Sequence, residues 1–186
     1  THRSLITGLM LMQLSGVMVL HNMARAHGIP AETLMANLPQ QAVLLVYPLF
    51  HISGLGAAFL SPLFAGSKVV IMRRWDAQEA VRLIELEKIT MFSAVPTMLW
   101  DMLHRAKLGD ADLSSLRNVS GGGAAMPQAV AQRMQDEFGI TFAEGYGLTE
   151  TAAPSHANPP ERAKLQCLGI PIFGVDSRVV DPATLK

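Results

Sequence analysis

A single cysteine, Cys167, stands in the whole sequence, so no internal disulfide can form. No His or Cys lies at ligand spacing around it, which removes a thiolate metal cage as well. That pattern suits a reducing, cytoplasmic setting, with peripheral membrane association left open. Excess charge of either sign is also missing, since 15 Lys and Arg balance 15 Asp and Glu. Such a chain has no basic face to attract phosphate backbones over long range, and nucleic acid is a poor candidate partner. The two familiar phosphate cradles, G-x-G-x-x-G and G-x-x-x-x-G-K-[ST], do not occur. Nor does any internal repeat or low-complexity tract.

What the sequence has in quantity is apolar side chains, 49% of 186 residues, enough to bury the core of a globular domain. Two long stretches carry almost no charge, Ser4 to Ala24 and Thr33 to Ser67. The first is preceded by Arg3 and followed by Ala24-Arg25-Ala26, the outline of a secretory signal. Gln13, Ser15, Gly16, His21 and Asn22 interrupt it, and Thr rather than Met stands at position 1. The chain is therefore expected to begin inside a larger protein. The second stretch contains Pro39, Pro48, Gly54, Gly56 and Pro62. In lipid such breakers would leave backbone groups without water to satisfy them, so a buried strand, loop and helix explain the run better than an integral membrane segment.

Further along, short apolar runs alternate with amphipathic ones, as in a parallel sheet with crossover helices. Val43–Tyr47, Lys68–Met72, Thr90–Val95, Leu116–Ser120 and Ile140–Glu144 read as strands. Gly54–Phe64 reads as a packed helix. Asp76, followed three residues later by Glu79, reads as a capping box opening an amphipathic helix, and Pro96 as the first residue of the next. The expected fold is α/β: a doubly wound, mostly parallel sheet with flanking helices over residues 1–152. Residues 153–186 are expected to form a linker and the start of a small β subdomain, with a lone strand over Gly174–Val180.

Gly121-Gly122-Gly123 follows one of these strands and precedes a helix, so its backbone can approach a flat ligand without an intervening side chain. By itself the triplet reads more readily as a flexible strand-to-helix turn. The segment Glu144-Gly145-Tyr146-Gly147-Leu148-Thr149-Glu150-Thr151 is more specific. An aromatic between two glycines can lie against a base, and the hydroxyl and carboxylate behind it can meet a phosphate and its metal.

Gly-Tyr-Gly-Leu-Thr-Glu-Thr resembles the signature of the adenylate-forming superfamily, which includes acyl-CoA synthetases, peptide-synthetase adenylation domains and luciferases. Other segments resemble that family in the same order: Tyr47-Pro48-Leu49-Phe50-His51, Val95-Pro96-Thr97, Leu113-Ser114-Ser115-Leu116-Arg117, Ser120 to Pro127, and Lys164 to Gly174. The last departs from the family pattern, with Gln166-Cys167-Leu168 in place of G-S-V and Phe173 in place of a proline.

The resemblance, closest to the fatty-acid and acyl-CoA ligases, implies a set of roles. Tyr146, between Gly145 and Gly147, would stack on adenine. The backbone of Gly121, Gly122, Gly123 and Ala124 would line the adenine and acyl pocket. Thr149 would contact the α-phosphate, Glu150 would hold Mg2+, and His51 would sit beside the bound carboxylate or gate the acyl tunnel. Without that context His51 reads as a core histidine and Glu150 as a solvated loop acid. The implied substrates are a carboxylic acid, ATP, which becomes AMP, and coenzyme A. A homo-oligomer is left open.

The family's phosphate loop, ribose-binding aspartate, hinge and catalytic lysine would all lie outside these residues, so the fragment alone is expected to be inactive. Amino-acid-activating members carry an aspartate near the position of His51, which leaves a fatty or aryl acid as the expected substrate here. The 11 methionines suit either an adaptable acyl channel or ordinary core filling. A non-catalytic nucleotide-binding module remains the alternative.

Overall fold

The computed structural model describes residues 1–106, 111–140, 142–159, 164 and 166–184. Two expectations reach beyond that range, the strand position Thr141 and Leu165 of the last family-like segment, and these lie outside the described residues. Helix α1 spans His2–Ala26 and α2 Ala31–Asn37. Strand β1, Ala42–Leu45, is followed by a π-helix, Ser53–Leu60, that runs directly into α3, Ser61–Phe64. Then come β2 (Lys68–Ile71), α4 (Ala77–Glu87), β3 (Met91–Ser93), α5 (Pro96–Arg105), β4 (Asn118–Gly121) and α6 (Gln128–Phe138). Three strands follow: β5 (Phe142–Leu148), β6 (Ala153–Ala157) and β7 (Ile170–Pro171).

The seven strands form one sheet in the order β2-β1-β3-β4-β5-β6-β7. The first five are parallel, and β6 and β7 continue the sheet antiparallel. The 2-1-3-4-5 order is that of a doubly wound sheet, whose crossover helices cover both faces. Central β1 is accordingly apolar at every position, Ala42-Val43-Leu44-Leu45, and buried at all four. On one face α4, α5 and α6 bring Ile84, Leu99, Met102 and Met134 against Leu44, Phe92 and Val119. The other face carries α1 and the π-helix. Each large aliphatic buried in this way contributes about 1.5–3 kcal/mol.

Local signals account for the helix ends. Asp76 caps α4, its carboxylate accepting the Glu79 N–H at 2.8 Å. Glu79 does not close the capping box; its carboxylate is taken by Arg82 at 2.7 and 2.8 Å. Pro96 opens α5 as expected, its missing N–H costing nothing in the first turn. Gly139, at φ 65°, stops α6 in the left-handed conformation.

Helix α1 is long and apolar enough to cross a membrane by length and composition. It buries Gly8, Leu9 and Ala24, while Ile6, Met10, Val17 and Met18 are exposed.

Several boundaries differ from the sequence reading. The expected strand Leu116–Ser120 begins only at Asn118, because Arg117 and Asn118 both donate to the Thr90 carbonyl and pairing starts there. Gly54–Phe64 is helical, but its first part is a π-helix starting one residue earlier. Strand β5 continues past Glu144 to Leu148, because β6 gives it an antiparallel partner. The stretch expected as a polar linker thus holds a strand, disguised by Pro154, which sits beside a register shift where a ladder donor is dispensable. Gly174–Val180 is no strand: Gly174 turns the chain at φ 81° and Val179 is fully exposed.

Candidate active site

A cavity of about 510 Å3 opens at the carboxyl ends of β4 and β5. In doubly wound sheets this is the side where ligands bind. Gly121, Gly123 and Ala124 of the glycine turn line one wall, and Gly145, Tyr146 and Gly147 of β5 line the other. Met126, Leu148 and Leu168 add apolar surface. Six of the expected residues therefore share one cavity.

The glycines are demanded by close approach. A Cβ on Gly121 would lie 2.1 Å from the Ala94 carbonyl and 2.9 Å from the Phe142 ring. One on Gly122 would meet the Gly145 carbonyl at 2.9 Å, so the turn rests directly on β5. Gly123 has open space around it, but its φ of +84° restricts the position to glycine by conformation.

Tyr146 is 41% exposed, with its ring at the cavity and its backbone inside the sheet, opposite His156. The register shifts between Tyr146 and Gly147. Beyond Leu148 the chain makes a turn closed by Thr151, whose hydroxyl accepts the Leu148 N–H at 3.0 Å and donates to the Leu148 carbonyl at 2.9 Å.

That turn places Thr149 and Glu150 in a neighbouring depression of about 270 Å3, together with Thr1, Ser4, Ile52 and Leu55. The amino end of α1 therefore meets the Thr149-Glu150 turn. Thr1 caps it, and no acidic residue occupies its first turn. Glu150 is exposed, and among the described residues its carboxylate forms no ion pair. No group of three or more His, Cys, Asp and Glu side chains comes together among the described residues. An exposed carboxylate next in sequence to a threonine, both lining one depression, nevertheless fits Mg2+, which takes most of its ligands from water and substrate phosphates.

His51 is exposed and lines neither cavity, although its neighbour Ile52 lines the second. Its Nδ1 accepts the Ser53 N–H at 3.2 Å, and its carbonyl accepts the N–H groups of Gly54 and Leu55. His51 therefore satisfies N–H groups at the start of the π-helix, whose N-cap position is Ile52. Gly54 is pressed against the preceding loop, where a Cβ would fall 2.2 Å from the Pro48 carbonyl. Nearby, burial pushes the Tyr47 phenol above its ordinary pKa, and a hydrogen bond with Ser93 partly offsets the rise.

Two supports of the cavity are not evident in the sequence. Glu144 is only 6% exposed, and its carboxylate accepts the Met126 N–H at 2.7 Å, tying the far end of the glycine turn to β5. Asn158 donates to the carbonyls of both Glu144 and Cys167, which holds the segment bearing Gln166 and Leu168 over the cavity. The available signal for Glu144 was an acid at an inward-facing strand position just before Gly145.

Fold and site together define a nucleotide-sized cleft at the carboxyl edge of a doubly wound sheet, apolar on its walls and backed by glycine backbone. The sequence matches the AMP-binding enzyme family over residues 2–186, and the chain belongs to that family. It is 32% identical over 145 residues to a long-chain-fatty-acid–CoA ligase of Bacillus subtilis (strain 168), covering 77% of this chain and 26% of that protein. It is 35% identical over 157 residues to a feruloyl-CoA synthase of an Amycolatopsis species, covering 82% of this chain and 31% of that one. Among solved structures, apo MatB from Rhodopseudomonas palustris superposes with a TM-score of 0.72 at 26% identity, over 80% of this chain and 29% of that one. The chain thus spans between a quarter and a third of the length of these relatives.

Proposed function

We propose that the protein to which this chain belongs is an acid–thiol ligase. It joins a carboxylic acid to AMP at the expense of ATP and passes the acyl group to the thiol of coenzyme A. The observation that carries this reading is the pairing of the glycine-and-tyrosine cavity with the Thr149-Glu150 depression at the amino end of α1.

In this reading adenine enters the larger cavity and lies on Tyr146, with its other side toward the Gly121–Ala124 backbone. The triphosphate runs toward Thr149, whose hydroxyl donates to the α-phosphate. Glu150 holds Mg2+, which when bound would supply charge neutralisation across the phosphates. The substrate carboxylate displaces pyrophosphate from the α-phosphorus; the thiol of coenzyme A then attacks the acyl carbonyl and AMP leaves. Neither step needs a covalent bond to the protein, so the residues contribute positioning and electrostatic stabilisation.

By the resemblance, amino-acid-activating members carry an aspartate near the position of His51, which supports a simple acyl or aryl acid over an amino acid, although His51 itself lines neither cavity. The names of the relatives include both a fatty-acid ligase and a feruloyl ligase. A fatty acid is the first choice and an aryl acid the second. We place the reaction in the cytoplasm and expect residues 1–186 alone to be inactive.

The test is acid-dependent ATP–pyrophosphate exchange by the full-length parent protein across fatty, aryl and amino acids. Exchange with fatty or aryl acids supports the proposal, and exchange confined to amino acids would overturn the substrate class. ATP binding without exchange for any acid would favour a non-catalytic nucleotide-binding module.

A further inference from the structure

We propose that His156 is a positioning residue for the Tyr146 ring and couples that ring to the segment after β7; this rests on the reading of Tyr146 as the base-stacking residue. His156 pairs with Tyr146 across the β5–β6 ladder, and the two rings meet edge to face with centroids 5.9 Å apart and planes at 63°. Both nitrogens of His156 are engaged. Nδ1 lies 3.0 Å from the Ser155 hydroxyl and Nε2 lies 3.0 Å from the Ser177 hydroxyl.

Ser155 is buried, and its hydroxyl lies within hydrogen-bond distance of the Tyr146 carbonyl, 3.2 Å, as well as of His156. A hydroxyl both donates and accepts, so the same group can serve both neighbours. The imidazole is thus held at both ends, one through Ser155 to the backbone of Tyr146 itself. The other end reaches the irregular segment that follows β7, where the Val175 N–H returns to the Ile172 carbonyl and Gly174 faces Leu11 of α1.

A ring fixed in this way limits the rotation of its neighbour. Tyr146 is 41% exposed and lines a wide cavity, and its aromatic neighbour among the described residues is His156, in the edge-to-face pair. Nothing in the arrangement puts His156 against the acid or the phosphates. Its loss is therefore expected to act on nucleotide affinity while sparing the chemical step.

The experiment uses the full-length parent enzyme. His156→Ala is expected to raise the KM for ATP by about three- to tenfold, the range set by one aromatic pair, with the KM for the acid and kcat unchanged. His156→Phe, which keeps the edge contact and loses both hydrogen bonds, is expected to fall between wild type and His156→Ala. Ser177→Ala is expected to behave similarly, with recovery in Ser177→Thr. Direct calorimetric titration of ATP accompanies each variant. Wild-type ATP affinity in both His156→Ala and His156→Phe would overturn the inference and leave the proposed activity standing. Equal losses in kcat, acid KM and ATP KM would also overturn it, since they mark a general structural role. Absence of ATP binding by the wild-type parent would overturn the inference and the proposed function together.

Discussion

The Glu144–Met126 bond gives the sharpest test of how the cavity is held open. Glu144 is 6% exposed and accepts the Met126 N–H at 2.7 Å, and Met126 is 3% exposed. Removing the carboxylate by Glu144→Ala leaves a backbone donor with no partner in a site water reaches poorly, a cost of about 1–3 kcal/mol. Glu144→Gln keeps an oxygen in the same place and gives up only the charge assistance, about 1 kcal/mol. The predicted order of thermal stability in the parent protein is therefore wild type, then Glu144→Gln, then Glu144→Ala. Because the turn from Gly121 to Met126 is the cavity wall, ATP affinity should fall in the same order. Differential scanning fluorimetry with and without ATP measures both. A Glu144→Ala protein that melts with wild type and binds ATP normally would refute the idea that this bond holds the turn.

Three further outcomes are expected. Glu150→Gln should depress the rate of adenylation by about a hundredfold in the parent enzyme, the scale of losing one electrostatic stabiliser, measured by single-turnover kinetics at saturating magnesium. Ala124→Leu should narrow the cavity that the proposal gives to adenine and weaken ATP binding by roughly 1–3 kcal/mol, measured by calorimetric titration; Gly123 is the poorer probe, because its φ of +84° adds strain to any side chain. Asp112 is held below the usual aspartate range by hydrogen bonds from Lys88 and Ser114, so its contribution to stability is complete above the ordinary aspartate pKa of about 3.9 and is lost as pH falls below it. Asp112→Asn should flatten that acid limb in melting curves taken from about pH 5 down to about pH 2, below the ordinary aspartate pKa.

The parallel half of the fold was legible because its strands are short apolar runs separated by amphipathic helices. Asp76 and Pro96 marked helix starts by mechanisms that depend on neighbours a few residues away. The antiparallel edge was not legible. β6 reads as polar, carries Pro154, and becomes a strand only because β5 offers it a partner across a bulge. Gly174–Val180 has the composition of a strand, but after the turn at Gly174 the chain does not pair with β7 or β6. For the site, glycine spacing was informative because Gly121, Gly122 and Gly145 answer close backbone contacts and Gly123 answers a positive φ. The roles of Glu144, Ser155 and His156 depend on which strands lie side by side, and sequence separation hides that.

The antiparallel addition of β6 changes what Tyr146 is. A base-stacking aromatic on a mobile loop would have to be ordered each time a nucleotide arrives, at a cost of about 1–2 kcal/mol for every residue immobilised. Here the residue sits in a strand with a partner on each side of its segment, Gly145 opposite Ala157 and Leu148 opposite Ala153. The entropy of ordering it was lost when the sheet formed, and folding rather than ligand binding bore that cost. Affinity for the base can then track the quality of the stacked contact itself, and the surface that receives it is expected to be nearly the same in the empty and occupied protein.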